Sequence, residues 1–235
     1  MPLPVLGLDR FDDFPAVERA WQQHNGLLAI GGDLSPPRLV AAYSRGIFPW
    51  FSDGEPIAWF APSPRMLMVP AQFRATRSLH KRRRNSGLRV DSDRAFLATI
   101  HACAATPRAG QPGTWITREM TQAYCRMHRL GHAHSVEVWD DRTLVGGLYG
   151  LFLGSMFFGE SMFSRVPDAS KLALWALAEA LATLPEAAID CQLHTPHLAS
   201  LGAQLVDRAE FDSRRDAALA QRVSWPASVL RAFAG

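Results

Sequence analysis

The sequence is poor in several features, and each shortage narrows what the chain can do. Its cysteines are three, Cys103, Cys125 and Cys191. An odd count without a Cys-x-x-Cys pair speaks against a disulfide framework and against a zinc knuckle. No apolar run reaches 18 residues, and no charged segment followed by a long apolar one stands at the N-terminus. Neither a membrane span nor a standard secretory signal is therefore expected, and a reducing, cytoplasmic address follows by default. There is no Gly-x-Ser-x-Gly string and no family signature around any cysteine, so no nucleophile motif announces itself. Low-complexity tracts and internal repeats are missing too. With 48% hydrophobic and 20% charged residues over 235 positions, the chain can bury a sizeable core as one large domain or as a medium domain plus a small one. One absence is local. Between Glu55 and Asp91 there is no acidic residue, while Arg65, Arg74, Arg77, Lys81, Arg82, Arg83, Arg84 and Arg89 all fall there. The net charge is only +3, yet this stretch concentrates a positive field that attracts a polyanion.

Pro and Gly crowd the first 65 residues, as in Gly31-Gly32, Pro36-Pro37, Pro49, Pro56, Pro62 and Pro64. One helix is legible there, with Ser35 as cap, the prolines in its first turn, Leu39, Val40 and Tyr43 on its apolar side, and Gly46 ending it. Further along, a helix is predicted from Ala95 to Ala105. A second is capped by Thr117, carries Met120, Tyr124, Met127 and Leu130 at helical spacing, and stops at Gly131. The period then changes to two over residues 135–139, and Asp140-Asp141-Arg142 reads as a turn. Two more strands are predicted at 144–153 and 155–159, joined at Gly154. A long apolar helix opens near Asp168 or Ser170 and runs through Leu172, Trp175, Leu177 and Leu181. A strand at 188–193 and a short helix at 197–201 follow. This order predicts a mixed α/β layer fold with a mostly antiparallel sheet.

Particular strings carry more. These are Asn25-Gly26-Leu27-Leu28-Ala29-Ile30-Gly31-Gly32-Asp33-Leu34-Ser35-Pro36, Gly46-Ile47-Phe48-Pro49-Trp50-Phe51, Gly113-Thr114-Trp115-Ile116-Thr117 and Leu130-Gly131-His132-Ala133-His134-Ser135. They continue through Val145-Gly146-Gly147-Leu148-Tyr149-Gly150, Phe158-Gly159-Glu160-Ser161-Met162-Phe163-Ser164, Ala169-Ser170-Lys171, Asp190-Cys191-Gln192 and Ser200-Leu201-Gly202-Ala203. Over roughly residues 25–208 the chain resembles the bacterial leucyl/phenylalanyl-tRNA–protein transferases, and several long motifs in order are far more specific than one short pattern. It departs at Ala58-Trp59-Phe60-Ala61, where that family more often shows a second tryptophan, and in a short, unlike tail expected to matter little. The resemblance implies an α+β fold: a small N-terminal domain over 1–65, then an acetyltransferase-like (GNAT) domain over 66–235 with a mostly antiparallel sheet. It implies transfer of leucine or phenylalanine, less well methionine, from aminoacyl-tRNA to the α-amine of proteins beginning with Arg or Lys, marking them for N-end rule degradation. No cofactor, no metal and no membrane are implied, and a monomer is the default.

The reaction so implied is aminolysis of an already activated ester. An α-amine has a pKa near 7.7–8.0, so a useful share is neutral at pH 7, and positioning with oxyanion stabilisation supplies most of the acceleration. Residues i and i+2 of a strand share a face, so Asp190 and Gln192 are predicted to point together into a cleft while Ile189, Cys191 and Leu193 face the core. Spacing alone leaves open a strand end facing water; the resemblance makes the two positions the catalytic pair. Glu160, at the end of an apolar strand, is costly to bury unpaired; it is a third candidate, for ribose hydroxyls or for a cation of the acceptor. Trp50 and Trp115 match tryptophans that hold the terminal adenosine, where a base stacks on indole for roughly 1–3 kcal/mol. Leu148, Phe157, Met162, Leu174, Leu177 and Ile189 match the aminoacyl pocket, though periodicity alone makes every one core. Arg74, Arg77, Lys81, Arg82, Arg83 and Arg84 are candidates for tRNA phosphates, contacts that give affinity without sequence choice. His128, His132 and His134 match no zinc spacing.

Two other classes compete. An acetyl-CoA-dependent N-acetyltransferase needs a glycine-rich backbone nest for pyrophosphate, and Ser164-Arg165-Val166-Pro167-Asp168 has no glycine. A non-enzymatic RNA-binding module explains the basic run and the tryptophans but not a polar pair facing a pocket.

Overall fold

The computed structural model describes residues 2–107 and 114–233; Gly113, the first residue of one of the family-like strings, lies outside them. Two sheets and eight helices are present among the described residues. The smaller sheet contains β1 (Val5–Leu6), β2 (Leu27–Gly31), β3 (Phe48–Pro49) and β4 (Ala58–Phe60), in the order β1-β2-β4-β3. Helix α1 (Pro36–Tyr43) lies between β2 and β3. Its cap differs in detail from expectation. Ser35 makes no side-chain capping bond, and its own N–H instead donates to Asp33 Oδ1 at 2.8 Å.

The larger sheet has seven strands: β5 (Arg65–Met68), β6 (Arg89–Ser92), β7 (Ala133–Asp140), β8 (Thr143–Leu153), β9 (Met156–Ser164), β10 (Ala188–Gln192) and β11 (Gln204–Val206). Their order is β11-β5-β10-β9-β8-β7-β6. Every neighbouring pair is antiparallel except β9 with β10. Helices α2 (Arg77–Asn85), α5 (Ala169–Leu181) and α8 (Ala227–Arg231) pack on one face, and α3 (Phe96–Ala104) and α4 (Arg118–Arg129) on the other. α6 (Pro196–Ser200) and α7 (Arg208–Leu219) complete the set. Thr117 caps α4 as its sequence suggests, its Oγ1 accepting the Met120 N–H at 3.2 Å.

Two apolar layers follow from this arrangement. The layer under α3 and α4 is continuous with the small sheet, so Leu39, Tyr43, Ile47 and Trp59 share one core with Tyr124, Tyr149 and Phe158. The other holds α5 against β7, β8 and β9 through Leu172, Leu177, Val136, Val138 and Leu148. The tail belongs to this second layer: Leu230 and Phe233 are buried in it, and Arg231 Nε approaches Asp91 Oδ1 at 3.5 Å. A tail of little consequence is thus not what the fold contains.

Residues near the site depart from strict alternation at two points. In β9 the register jumps between the pairs Tyr149–Ser161 and Gly150–Gly159, leaving Glu160 as an extra, unpaired residue. In β10 it shifts between Asp190 and Gln192, which makes Cys191 the extra one. Such bulges reverse which face the following side chains take. Phe157 and Met162 are five apart and would take opposite faces of a regular strand; the bulge at Glu160 brings both to the α5 side.

Candidate active site

β9 and β10 pair only from Ala188–Met156 to Asp190–Phe158, although β9 continues to Ser164 and β10 to Gln192. The strands part there, each at its bulge, and a cavity of about 360 Å³ opens at the parting. Leu148, Phe157, Met162, Leu174 and Ile189 form its apolar wall, and Glu160, Ser161, Gln192, Thr195 and His197 its polar rim. Leu177 does not reach it; one turn beyond Leu174 on α5, it is wholly buried in the layer behind. An adjoining space of about 240 Å³ is lined by Phe48, Pro49 and Trp50 and shares Trp115, Glu160, Cys191, Gln192, Thr195 and Leu198 with the first. The two tryptophans, 65 positions apart in the chain, are therefore brought together on the lining of the second space, and Trp115 lines the first as well. Trp50 is supported from behind by Phe60 at a ring distance of 5.5 Å. Phe60 belongs to the segment where the chain departs from the family's usual pattern. Its neighbour Trp59 is buried, donating from Nε1 to the Gly31 carbonyl at 2.9 Å.

Asp190 and Gln192 do not point together. The side chain of Asp190 is wholly buried and lines neither cavity. It accepts from Arg65 Nε on Oδ1 at 2.8 Å and from Arg65 Nη2 on Oδ2 at 2.6 Å, a two-pronged pair. Arg65 is itself wholly buried, its guanidinium over the rings of Phe48 and Phe211 at 4.8 and 4.9 Å. This corrects two expectations at once: Arg65 adds nothing to the basic surface, and the i, i+2 rule fails because of the bulge at Cys191. Asp190 Oδ1 also accepts the backbone N–H of Gln192 at 2.9 Å. Gln192 sits in the left-handed region, with φ of 56°, which costs a non-glycine residue on the order of 1 kcal/mol. The Asp190 carboxylate pins that conformation, and Gln192 lines both spaces. Cys191, expected to face the core, lines both spaces instead. Burial, and then the Asp190 carboxylate, push its thiol pKa well above the ordinary value. It stays protonated at neutral pH and is not a thiolate nucleophile.

Glu160 is the titratable group at the centre. The hydroxyls of Tyr43 and Tyr124 donate to its Oε1 and Oε2 at 2.5 and 2.9 Å, and these two hydroxyls also contact each other. Burial lifts the Glu160 pKa to about 7, with the Asp190 carboxylate pushing the same way, while the tyrosine hydroxyls and Arg65 pull against them. Burial and then Glu160 raise both tyrosines well above the usual phenol value. Burial and nearby Lys171 lower His197, which is therefore neutral at pH 7. Periodicity marked Tyr43 and Tyr124 as apolar helix positions and concealed their hydroxyl role; nothing in the spacing singled out Thr195 or His197.

The basic candidates divide. Arg74, Arg77, Lys81 and Arg84 are exposed, the last three at i, i+4 and i+7 of α2 and so on one helix face. Arg82 is half-buried. Arg83 bonds Glu179 at 2.8 Å and lies over Phe233 at 3.8 Å and Trp175 at 4.7 Å, so it fastens α2 to α5 and the tail. The histidines are held by protein groups: His128 Nδ1 lies 2.8 Å from the Ala133 carbonyl and His134 Nδ1 2.7 Å from Asp93 Oδ2.

With this geometry in place, the comparison with known proteins is decisive. The family model described as leucyl/phenylalanyl-tRNA protein transferase matches residues 67–216, and the model of that family's N-terminal domain matches residues 32–63. The chain belongs to this family. A leucyl/phenylalanyl-tRNA–protein transferase of Chromohalobacter salexigens is 56% identical over 218 residues, which is 92% of this chain and 85% of that one. Relatives of the same name in Azoarcus sp. and Thiobacillus denitrificans are 59% and 55% identical, covering 84% and 91% of each chain. A solved structure of L-PGS from Bacillus licheniformis aligns at 11% identity over 90% of this chain and 73% of that one with a TM-score of 0.39, too low to bear on the site.

Proposed function

We propose that the chain transfers leucine or phenylalanine, and less well methionine, from aminoacyl-tRNA to the N-terminal α-amine of proteins that begin with Arg or Lys, marking them for N-end rule degradation. The observation that carries this reading is a pair of adjoining spaces with three kinds of lining: an apolar wall, a polar rim shared at the parted strands, and two tryptophans, Trp50 in the second space and Trp115 bordering both. The terminal adenosine stacks between Trp50 and Trp115, and the donor side chain enters the wall of Leu148, Phe157, Met162, Leu174 and Ile189. The ester carbonyl is then left at the rim, beside Gln192 and Glu160. The α-amine nitrogen attacks the carbonyl carbon, a C–N bond forms, the ester C–O bond breaks, and the proton shed by the amine ends on the departing ribose oxygen. Gln192 orients the amine. Glu160, with its pKa near 7, takes up or passes on that proton, or when ionised holds the acceptor's cation. Asp190 acts as a positioning residue through the Gln192 backbone. The protonated Cys191 thiol supports direct aminolysis rather than an acyl-enzyme.

Further support concerns docking. The exposed face of Arg74, Arg77, Lys81 and Arg84 suits the phosphates of the tRNA acceptor stem. The division into a small domain over 1–65 and an acetyltransferase-like domain over 66–235 belongs to the same reading, with the single parallel pair β9–β10 opening at the site as its support. A soluble, cytoplasmic monomer belongs to it too; among the described residues no helix is long and apolar enough to cross a membrane. The acetyl-CoA alternative is disfavoured at the N-terminus of α5. The Ser170 N–H is taken by Ser164 Oγ at 2.8 Å, and the Asp168 carboxylate, bonded to Lys171 at 2.7 Å, stands where pyrophosphate would approach.

The deciding experiment incubates the protein with leucyl-, phenylalanyl- and valyl-tRNA and peptides beginning with Arg, Lys, Asp or Ala, and reads the products by mass spectrometry. Leucine and phenylalanine on Arg and Lys peptides alone are expected; transfer to Asp peptides, or none at all, overturns the reading. Replacing Arg77, Lys81 and Arg84 together by Ala is expected to raise the KM for charged tRNA and flatten its salt dependence by about three units of slope at most. An aminoacyl-adenosine donor is expected to react as before.

A further inference from the structure

We infer that the C-terminal tail is a specificity-determining part of the donor pocket, with Trp225 holding the Phe157 wall in place. This rests on the pocket reading above and goes beyond it, since residues after 216 lie outside the matched family region.

Phe157 lines the cavity and is almost fully buried. Its ring lies over Gly150 of β8, where a Cβ would come within 2.7 Å of ring Cζ. The absent side chain at 150 is what lets the ring lie down on the sheet. On its other flank the ring meets the indole of Trp225, stacked at 5.7 Å with an interplanar angle of 28°. The indole is fixed more firmly than a tail residue needs for burial alone. It stacks on His134 at 4.4 Å and 11°, meets the ring of Phe152 at 5.3 Å, and donates from Nε1 to Ser92 Oγ at 2.7 Å. His134 is in turn held by Asp93. A stacked series thus runs from Asp93 through His134 and Trp225 to Phe157 and ends at the cavity. The hydrogen bond fixes the indole in its own plane and the stacking fixes its height, so the position of the Phe157 ring, and with it the depth of the slot, is set from the tail. Side chains that differ by one or two carbons are told apart only by such a wall, because each methylene is worth a limited factor.

The test uses the full chain, an Arg-initiated acceptor peptide and adenosine esters of leucine, phenylalanine and tryptophan as donors. W225A is expected to change the ratio of kcat/KM for phenylalanine over leucine by about tenfold and to admit the tryptophan ester, through donor KM and with acceptor KM unchanged. W225F is expected to restore most of the ratio. R231A, which loosens the tail away from Phe157, is expected to leave it alone. A folded W225A with the wild-type ratio overturns the proposal, as does an equal loss on all three donors. If W225A does not fold, S92A carries the test, with a ratio change of about threefold expected and an unchanged ratio overturning it. F157A separates the two levels. If F157A leaves the ratio untouched, the pocket reading itself fails; if F157A shifts it and W225A does not, only the role of the tail falls. In the F157A background W225A is expected to add nothing further.

Discussion

Two carboxylates stand where β9 and β10 part, and the protein treats them in opposite ways. Asp190 is sealed behind its strand, matched to a guanidinium by two hydrogen bonds, and absent from the cavity lining. Glu160 is pushed out of register by a bulge, opens onto both parts of the cavity, and is held by two phenols that carry no charge. A charge-matched carboxylate with no access to substrate is a structural device. A buried carboxylate with only neutral partners, at the edge of a cavity, is one whose proton is loosely assigned near neutral pH. On the proposed function, the difference separates the group that holds the Gln192 backbone in place from the group proposed to exchange a proton or a cation with the acceptor.

The comparison breaks most visibly in stability. Removing the carboxylate in D190A leaves Arg65 buried without its counter-charge and is expected to cost about 3–5 kcal/mol, read by chemical denaturation. E160A leaves two hydroxyls that can bond each other and is expected to cost about 1 kcal/mol. Equal losses in the two variants would mean that Asp190 and Glu160 do not differ as described.

The second test concerns catalysis. Q192A is expected to lower kcat by about a hundredfold, with the donor KM little changed, if the amide acts as proposed on the attacking amine rather than on the donor. D190N keeps an oxygen acceptor for the Gln192 N–H, so it serves where D190A is too unstable to assay. If Asp190 works only through Gln192, D190N combined with Q192A costs no more in kcat than Q192A alone. Additive losses would give Asp190 a role of its own toward substrate.

How far this arrangement was readable beforehand depends on what each feature rests on. The helices at Phe96–Ala104 and Arg118–Arg129 and the β7–β8 hairpin follow from periodicity and caps, which are local, and they stand within a residue or two of expectation. Helix α2 escaped because Leu79 is its one buried residue and its basic side chains drew the reading toward charge. α7 escaped similarly, with only Phe211 and Ala218 buried. The pocket positions came from resemblance rather than pattern, since the bulge at Glu160 reverses the alternation that any pattern uses. The Arg65–Asp190 pair joins positions 125 apart, and no local rule reaches so far. The same holds for Trp225, whose partners lie on β6, β7, β8 and β9.

The third test is of rate against pH. The acceptor amine titrates near 7.7–8.0, and Glu160 near 7. If the ionised carboxylate is the working form, kcat/KM in the wild type falls on the acid side with two groups contributing. E160Q is expected to lose about tenfold at pH 8 and to retain only the inflection of the amine. An E160Q profile of unchanged shape would remove Glu160 from the proton path and leave it to the acceptor's cation, in which case the loss falls on acceptor KM instead.

The smallest effect is the most direct reading of how Glu160 is held. Its folded pKa lies above the usual carboxyl value of 4.5, at about 7. Between those values the folded protein keeps a proton that the unfolded chain has already released. Stability therefore falls as pH rises through this window and is level beyond it. The whole shift would correspond to roughly 3 kcal/mol, but Glu160 borders an open cavity, and water there reduces the effect to about 1 kcal/mol. Gln cannot ionise, so E160Q lacks this slope. The wild type minus E160Q difference in unfolding free energy is expected to move by about 1 kcal/mol against the wild type between pH 5 and pH 8. A wild type minus E160Q difference flat in pH would show that the two tyrosines stabilise the ionised carboxylate as well as the neutral one, and the contrast between the two carboxylates would then rest on access to the cavity alone.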